Sequence, residues 1–350
     1  FVGAEINSSS MTDQEQKEYF QKSDQAANDQ LKEIINQFKA ENPRGAVLLN
    51  DIEKSLNSNT DTETLEIPVS GPPDLSHFDM PASSVMGTPE EQAKFDEQKQ
   101  RLKGYARKSY LYTAQYQTAA TRPIPEQDQL LRQALLTRYS QSKDLTKMDM
   151  TGVKLNGLTF EDADFSESFF ENSIFSNCTF KNVNFSEAVL TRGHFTNCSF
   201  ESGNFARTNL AKAKLEKCKL LHCSFLETEI ENSQMSDSAF KKCKFEMLTP
   251  TGFQWTEIEF TGCDFVMCIL DEGKMERSNF FTSDIFKTIF ENSTLEKIEF
   301  NKSTLKDSTF SSSTCNECSF NECTLNNVMF EEDSPVLASR FLNSYLQECN

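Results

Sequence analysis

From Leu145 to Phe330 every fifth residue is apolar, with one exception. The series opens Leu145, Met150, Leu155, Phe160, Phe165, Phe170 and closes Cys315, Phe320, Leu325, Phe330. Of its 38 positions only Pro250 breaks the rule, and 20 of the chain's 30 phenylalanines fall on it. The residue two places earlier is restricted too: 31 of 37 such positions hold Ala, Gly, Ser, Thr, Cys or Val. A large and a small residue two apart share one side of an extended chain. Neither a 3.6 nor a 2.0 periodicity yields a strict five, so helices and ordinary strands are both excluded here. Self-similarity at a fixed period is the mark of a solenoid, in which each unit buries its apolar side only by stacking on the next.

The pentads Ala163-Asp164-Phe165-Ser166-Glu167 and Val183-Asn184-Phe185-Ser186-Glu187 carry a small residue, a polar one, a Phe, then two polar residues. This pattern resembles the pentapeptide-repeat family over about 186 residues. The resemblance implies an all-β solenoid, a right-handed quadrilateral β-helix with four pentads to each coil. The chain carries its own sign of a 20-residue coil: Cys178, Cys198, Cys218 and Cys318 are spaced by multiples of 20, as are Cys223, Cys243, Cys263 and Cys323. Thirty-eight pentads make roughly nine coils, a rod of about 45 Å at a strand spacing of ~4.8 Å.

Eleven cysteines raise three readings: disulfides, a metal site or packing. Cys315 and Cys318 have half the spacing of a zinc site, with Cys323 nearby. All three fall on inward lattice positions, where Ser, Thr and Ala stand elsewhere, and only Cys349 lies off the lattice. Cysteine packs as a small hydrophobe, so packing is the expectation, with no metal and no cofactor. Rows of free thiols suit a reducing compartment, which favours a bacterial cytoplasm.

The remainder divides into a helical segment over 1–57, a linker or extended arm over 58–87 and a helical cap over 88–142. The β-helix then runs over 143–332, and a capping helix over 333–350 starts at Ser334 and Pro335. Residues 11–42 place Leu31, Ile34, Ile35 and Phe38 at helical spacing, and a second helix is expected at 46–56. Thr88, Pro89 and Glu91 form a helix start, with Thr as N-cap and Glu three residues on. The helix that follows aligns Leu102, Tyr105, Tyr112 and Tyr116, and a further one carries Leu130, Leu131, Ala134, Leu135 and Tyr139. Helices there would cover the open edge of the first coil, which otherwise recruits other chains. This tyrosine cluster either packs against the first coil or forms a partner-binding surface, with Tyr105, Tyr112 and Tyr116 as the candidates, since Tyr is favoured at interfaces. Leu248, Phe253 and Ile258 put bulky residues at three successive small sites around Pro250 and Trp255. One reading is a bulged coil with swapped packing; the other is a kink or groove that serves a partner, for which Pro250, Phe253 and Trp255 are the candidates.

No catalytic constellation is present. His77, His194 and His222 are the only histidines, and glycine-rich phosphate loops, nucleophile elbows and His-Glu-x-x-His motifs are absent. The chain is read as no enzyme. A net charge of −18 argues against direct nucleic-acid binding, which needs a Lys/Arg surplus. The sequence holds no run of about 18 apolar residues that could span a membrane.

Acidic pentapeptide-repeat rods that resemble duplex DNA bind type II topoisomerases, which makes DNA mimicry one reading. It requires continuous acidic faces, yet Lys212, Lys214, Lys217, Lys219, Lys241, Lys242 and Lys244 form a basic belt. The other reading is a protein-interaction scaffold. Leu102, Tyr105 and Lys108-Ser109-Tyr110 are followed by a Pro-containing spacer and a Leu-rich helix. Then come Asp144-Leu145 and Met148-Asp149-Met150-Thr151-Gly152. This succession resembles the C-terminal part of bacterial type VI secretion adaptors that end in pentapeptide repeats. The resemblance implies loading of a secreted effector onto the spike, and it accounts for a chain that opens on Phe1, because those adaptors carry a preceding domain. The departure is a Phe/Cys-rich repeat in place of an Ala/Leu-rich one. A scaffold part of an injected effector is the related alternative.

Overall fold

The computed structural model describes residues 71–75, 88–331 and 333–349. The helices expected at 11–42 and 46–56, most of the 58–87 linker and His77 lie outside the described residues.

The repeat region is a right-handed parallel β-solenoid of ten coils. Short strands stack in register at 20-residue intervals, as in Leu155 on Phe175 and Phe160 on Phe180. Four faces result, named here by their first rungs: the Leu155, Phe160, Phe165 and Phe170 faces. Backbone bonds alternate between coils: Phe165 N–H donates to Asn184 O at 2.7 Å, and Asn184 N–H donates to Ala163 O at 3.0 Å. Each pentad turns its corner at the residue two after the rung, in the left-handed region, with φ of 57° at Glu167 and 56° at Asn172. In the early coils an Asp or Asn that precedes the rung stiffens that turn with its side chain. Asp164 Oδ1 accepts from Ser166 N–H at 2.9 Å, and Asn204 Oδ1 from Ala206 N–H at 3.0 Å.

The rungs fill the interior. Phe175 stacks on Phe195 at 4.6 Å, Phe205 on Phe225 at 4.9 Å and Phe290 on Phe310 at 4.7 Å, within 4° of parallel. Rings from adjacent faces meet edge-on, as Phe160 meets Phe165 at 82°. Each buried Phe contributes roughly 1.5–3 kcal/mol, and each ring pair about 0.5–1.5 kcal/mol more.

The small sites do more than leave room. Cys178 Sγ donates to Leu155 O at 3.5 Å, Ser283 Oγ to Phe260 O at 3.2 Å and Thr208 Oγ1 to Phe185 O at 2.7 Å. A small side chain with a donor reaches back to a carbonyl of the preceding coil, which is why Ser, Thr and Cys interchange there. All described cysteines are free thiols, and burial pushes Cys268 up to about 11.

Two expectations need correction. The C-terminal helix over 333–350 does not form: Val336–Leu337, Arg340–Leu342 and Tyr345–Gln347 are strands of a tenth coil. Val336 pairs with Cys315, Phe341 with Phe320 and Leu346 with Leu325, a spacing of 21 rather than 20. One extra residue after Phe330 shifts the lattice. Ser334, Ser339, Ser344 and Cys349 then become small sites, and Cys349 Sγ donates to Leu325 O at 3.5 Å. Parallel pairing with the coil above outweighs the helix-start chemistry of Ser334 and Pro335. The second correction is at Pro250, where no groove opens. Phe253 and Trp255 are 2% and 1% exposed, their rings 4.6 Å apart, and Trp255 Nε1 donates to Ser233 Oγ at 3.2 Å. The stack runs on either side of the proline, through Asn232 N–H to Thr251 O and Asp271 N–H to Pro250 O.

Gly273 accommodates the oversized Phe253, since a Cβ on it would lie 1.9 Å from the Phe253 ring. Gly273→Ala should therefore lower stability by about 1–3 kcal/mol, the usual penalty for overpacking, read from thermal melting. Thr282 is a β-branched residue at φ 49°. Thr282→Asn should raise stability by about 0.5–1 kcal/mol in the same assay, because Asn tolerates the left-handed region.

Candidate functional site

A helix start with reciprocal bonds opens the helical region: Thr88 N–H donates to Glu91 Oε2 at 2.7 Å, and Glu91 N–H to Thr88 Oγ1 at 3.3 Å. The resulting helix α1 spans Pro89–Thr113, and a 3-10 turn follows over Ala114–Tyr116. A second helix, α2, spans Pro125–Gln141. It lies across the first coil, where Leu135 is fully buried in one cluster with Leu145 and Met150. Its polar groups bind free edge amides: Asp128 Oδ1 accepts from Lys154 N–H at 2.8 Å, and Tyr139 Oη from Glu161 N–H at 2.7 Å.

The end of α1 and the turn after it do not join that cap. They run down the Phe170 face as a strap. Tyr110, Leu111 and Ala114 bury against Phe169 and Val189, which point outward from the rod. Arg107 lies over the Phe169 ring at 4.8 Å and donates to Glu167 O and Lys147 O, each at 3.1 Å. Further down, Asn209 donates to Leu111 O and to Gln115 Oε1, and Tyr116 Oη donates to Glu231 Oε2 at 2.9 Å.

A buried ion pair fastens the strap. Glu171, 1% exposed, accepts from Tyr110 Oη, from Ala120 N–H at 3.0 Å and from Arg192 at 2.7 Å. Arg192 also donates to Ala114 O at 2.9 Å, Gln115 O at 2.9 Å and Gln117 O at 2.6 Å. Burial, then the Glu171 hydrogen bond, pushes the Tyr110 phenol well above its ordinary range, so it remains a donor. The arrangement holds a peptide segment through backbone carbonyls and a hydroxyl.

The sequence-derived candidates separate. Tyr105 and Tyr112 are 42% and 60% exposed, and Tyr116 is exposed while bonded to Glu231. Pro250, Phe253 and Trp255 are buried and offer no surface to a partner: the bulky residues expected to disturb the coil are absorbed inside it. Tyr110, Glu171 and Arg192 were missed. The available signal was Phe169, an aromatic at an outward slot beside a rung.

The two described histidines stand apart from each other. His194 is half-buried, 3.5 Å from Glu216, and His222 sits on an exposed corner. No cluster of three His, Cys, Asp or Glu suited to a metal occurs among the described residues, and no described helix is long and apolar enough to cross a membrane. A depression of about 430 Å³ on the outer side of α2, lined by Gln129, Arg132, Leu136 and Ser140, brings no acid, base and nucleophile together. Of the belt lysines, Lys214, Lys217, Lys219, Lys241, Lys242 and Lys244 are exposed, while Lys212 donates to Gln115 O of the strap at 2.6 Å.

Residues 148–225 and 193–280 match the family described as pentapeptide repeat region. The rod is a pentapeptide-repeat β-helix. Among solved structures it is similar to HetL, a pentapeptide repeat protein involved in heterocyst differentiation regulation from the cyanobacterium Nostoc sp. strain PCC 7120. That match has 11% identity and a TM-score of 0.26, covering 61% of this chain and 92% of HetL. It is also similar to full-length QnrB1, a plasmid-mediated fluoroquinolone resistance protein, at 15% identity and a TM-score of 0.29, over 54% and 93% of the two chains. None of the curated proteins matches this chain.

Arg192→Met should release the strap from this pentapeptide-repeat rod, because it leaves Glu171 buried without its cation, a loss of about 3–5 kcal/mol. Limited trypsin digestion should then cut within 101–122, while the far-UV spectrum and melting of the rod stay close to wild type.

Proposed function

We propose that this chain is a non-catalytic protein-interaction scaffold, a rigid rod that holds a helical strap on one face and presents it to a protein partner. The observation that carries this reading is the fastening itself. Glu171 and Arg192 fix the strap from beneath, while Tyr105 and Tyr112 on the same helix face outward. A built and rigid support under exposed aromatics lowers the ordering cost of association.

The specific form proposed is an adaptor that binds a secreted effector and a spike component of the bacterial type VI apparatus, working from the cytoplasm. Its support is the stretch from Leu102 to Gly152, whose succession resembles those adaptors and which forms the strap, the α2 cap and the first coil. The reading involves no cofactor, no membrane and no direct nucleic-acid contact. Topoisomerase inhibition by DNA mimicry is disfavoured by the exposed lysines at Lys214, Lys217, Lys219, Lys241, Lys242 and Lys244, which stand on or beside three of the four faces.

With the full chain as bait in a bacterial lysate, mass spectrometry should recover effector or spike proteins. Recovery of gyrase subunits together with inhibition of gyrase supercoiling by the purified protein would overturn the adaptor reading.

A further inference from the structure

The Phe170 face carries one outward residue just before each rung. Phe169 and Val189 in this column are covered by Tyr110, Leu111 and Ala114 of the strap. The column becomes apolar again further down, at Ile269 and Ile289 and then at Met329, with Ile269 36% and Met329 44% exposed. Around the adjoining corner Met247 and Met267 are 46% and 47% exposed, beside half-buried Val266 and Phe286. No described residue of the strap reaches this level.

Acidic side chains border the patch on both sides. Asp271 pairs in register with Glu291, and Asp264 with Asp284, so like charges stack one coil apart. Glu272 stands at the next corner and Glu331 lies further along the Asp271 column. Lys287 and Lys306 lie against the Phe286 ring at the lower margin, and Lys244 stands above Asp264. Burial and then Asp271 raise the Glu291 carboxyl above its ordinary value, and burial and then Asp284 do the same for Asp264. Both flanks therefore gain from an incoming cation.

We propose that the corner centred on Met267, Ile269 and Ile289 docks an amphipathic helix of a partner protein, its apolar stripe edged by Lys and Arg. This rests on the scaffold reading and assigns that reading a surface. The strap shows how such a helix fits. Arg107 meets the level of Glu167, Tyr110 that of Phe169 and Glu171, Ala114 that of Arg192, and Gln115 that of Asn209 and Lys212. The end of α1 and the 3-10 turn after it together span three successive coils of this face. The chain's own segment 101–116 has this chemistry, with Arg101, Lys103, Arg107 and Lys108 and no acidic residue.

The probe is a labelled synthetic peptide of residues 101–116, titrated onto the full chain by fluorescence anisotropy. Saturable binding that weakens with added salt is expected. Ile269→Glu with Ile289→Glu should reduce it about tenfold or more, the effect of losing one or two buried apolar contacts. This column already holds Glu229, so the variant should fold, and melting checks it. Asp271→Asn with Glu291→Gln, which alters charge alone, should weaken binding and flatten its salt dependence. No saturable binding, or binding unchanged in both variants, overturns the proposal. So does binding abolished by Val189→Glu but not by the isoleucine variant, since the peptide would then be replacing the strap. A lysate partner that binds the isoleucine variant as tightly as wild type overturns this surface and leaves the scaffold reading standing.

Discussion

Backbone pairing between successive coils is the constraint on which the molecule depends. Once N–H and C=O groups bond straight down the rod, as in Phe165 to Asn184 and Asn184 to Ala163, residues 20 apart must superpose. That spacing suits a flat ring, so Phe stacks on Phe. It leaves little room at the sites two residues earlier, so those hold small side chains with a donor turned to the coil above. It also requires a sharp corner every fifth residue, met by a left-handed φ at residues as varied as Glu167, Lys217 and Asn232.

The same stacking organises the outside. A residue type at one outward slot has a neighbour one coil away, and the column is favourable or not according to that neighbour. Arg207 on Glu187 makes an ion pair at 2.9 Å, and Asn184 on Asp164 a hydrogen bond at 3.0 Å. Exposed pairs of this kind contribute little. The buried Glu171–Arg192 pair differs: its charges are shielded from water and satisfied by strap carbonyls and hydroxyl. It decides where a segment of chain sits more than how stable the rod is.

Much of the β-helix was legible because a solenoid lattice is a local code. Five residues specify a pentad, and repetition confirms the register without knowledge of distant contacts. The packing role of the cysteines and the Thr88 cap were readable for the same reason. What escaped reading depended on comparing one coil with another. The tenth coil is present as Ser334, Ser339 and Ser344 ahead of Val336, Phe341 and Leu346, but a single inserted residue hides it from a fixed count of five. Phe253 stands out as an anomaly alone and as a fitted piece once Gly273 is placed beneath it. Of the candidate interaction residues, Tyr105 and Tyr112 are at the surface and Trp255 is not, because an outsized residue on the rung lattice still points inward.

Sequence by itself determined that this chain winds into a solenoid, which residues line it as far as Phe330 and where the winding begins, since each of these follows from contacts within or between neighbouring pentads. Tertiary structure alone decided which face carries the strap and how far along that face the strap reaches. The α1 helix could turn several sides to the rod. Only the placement of Phe169, Val189, Glu171 and Arg192 on one face, brought together from two successive coils, selects Tyr110 over its exposed neighbours.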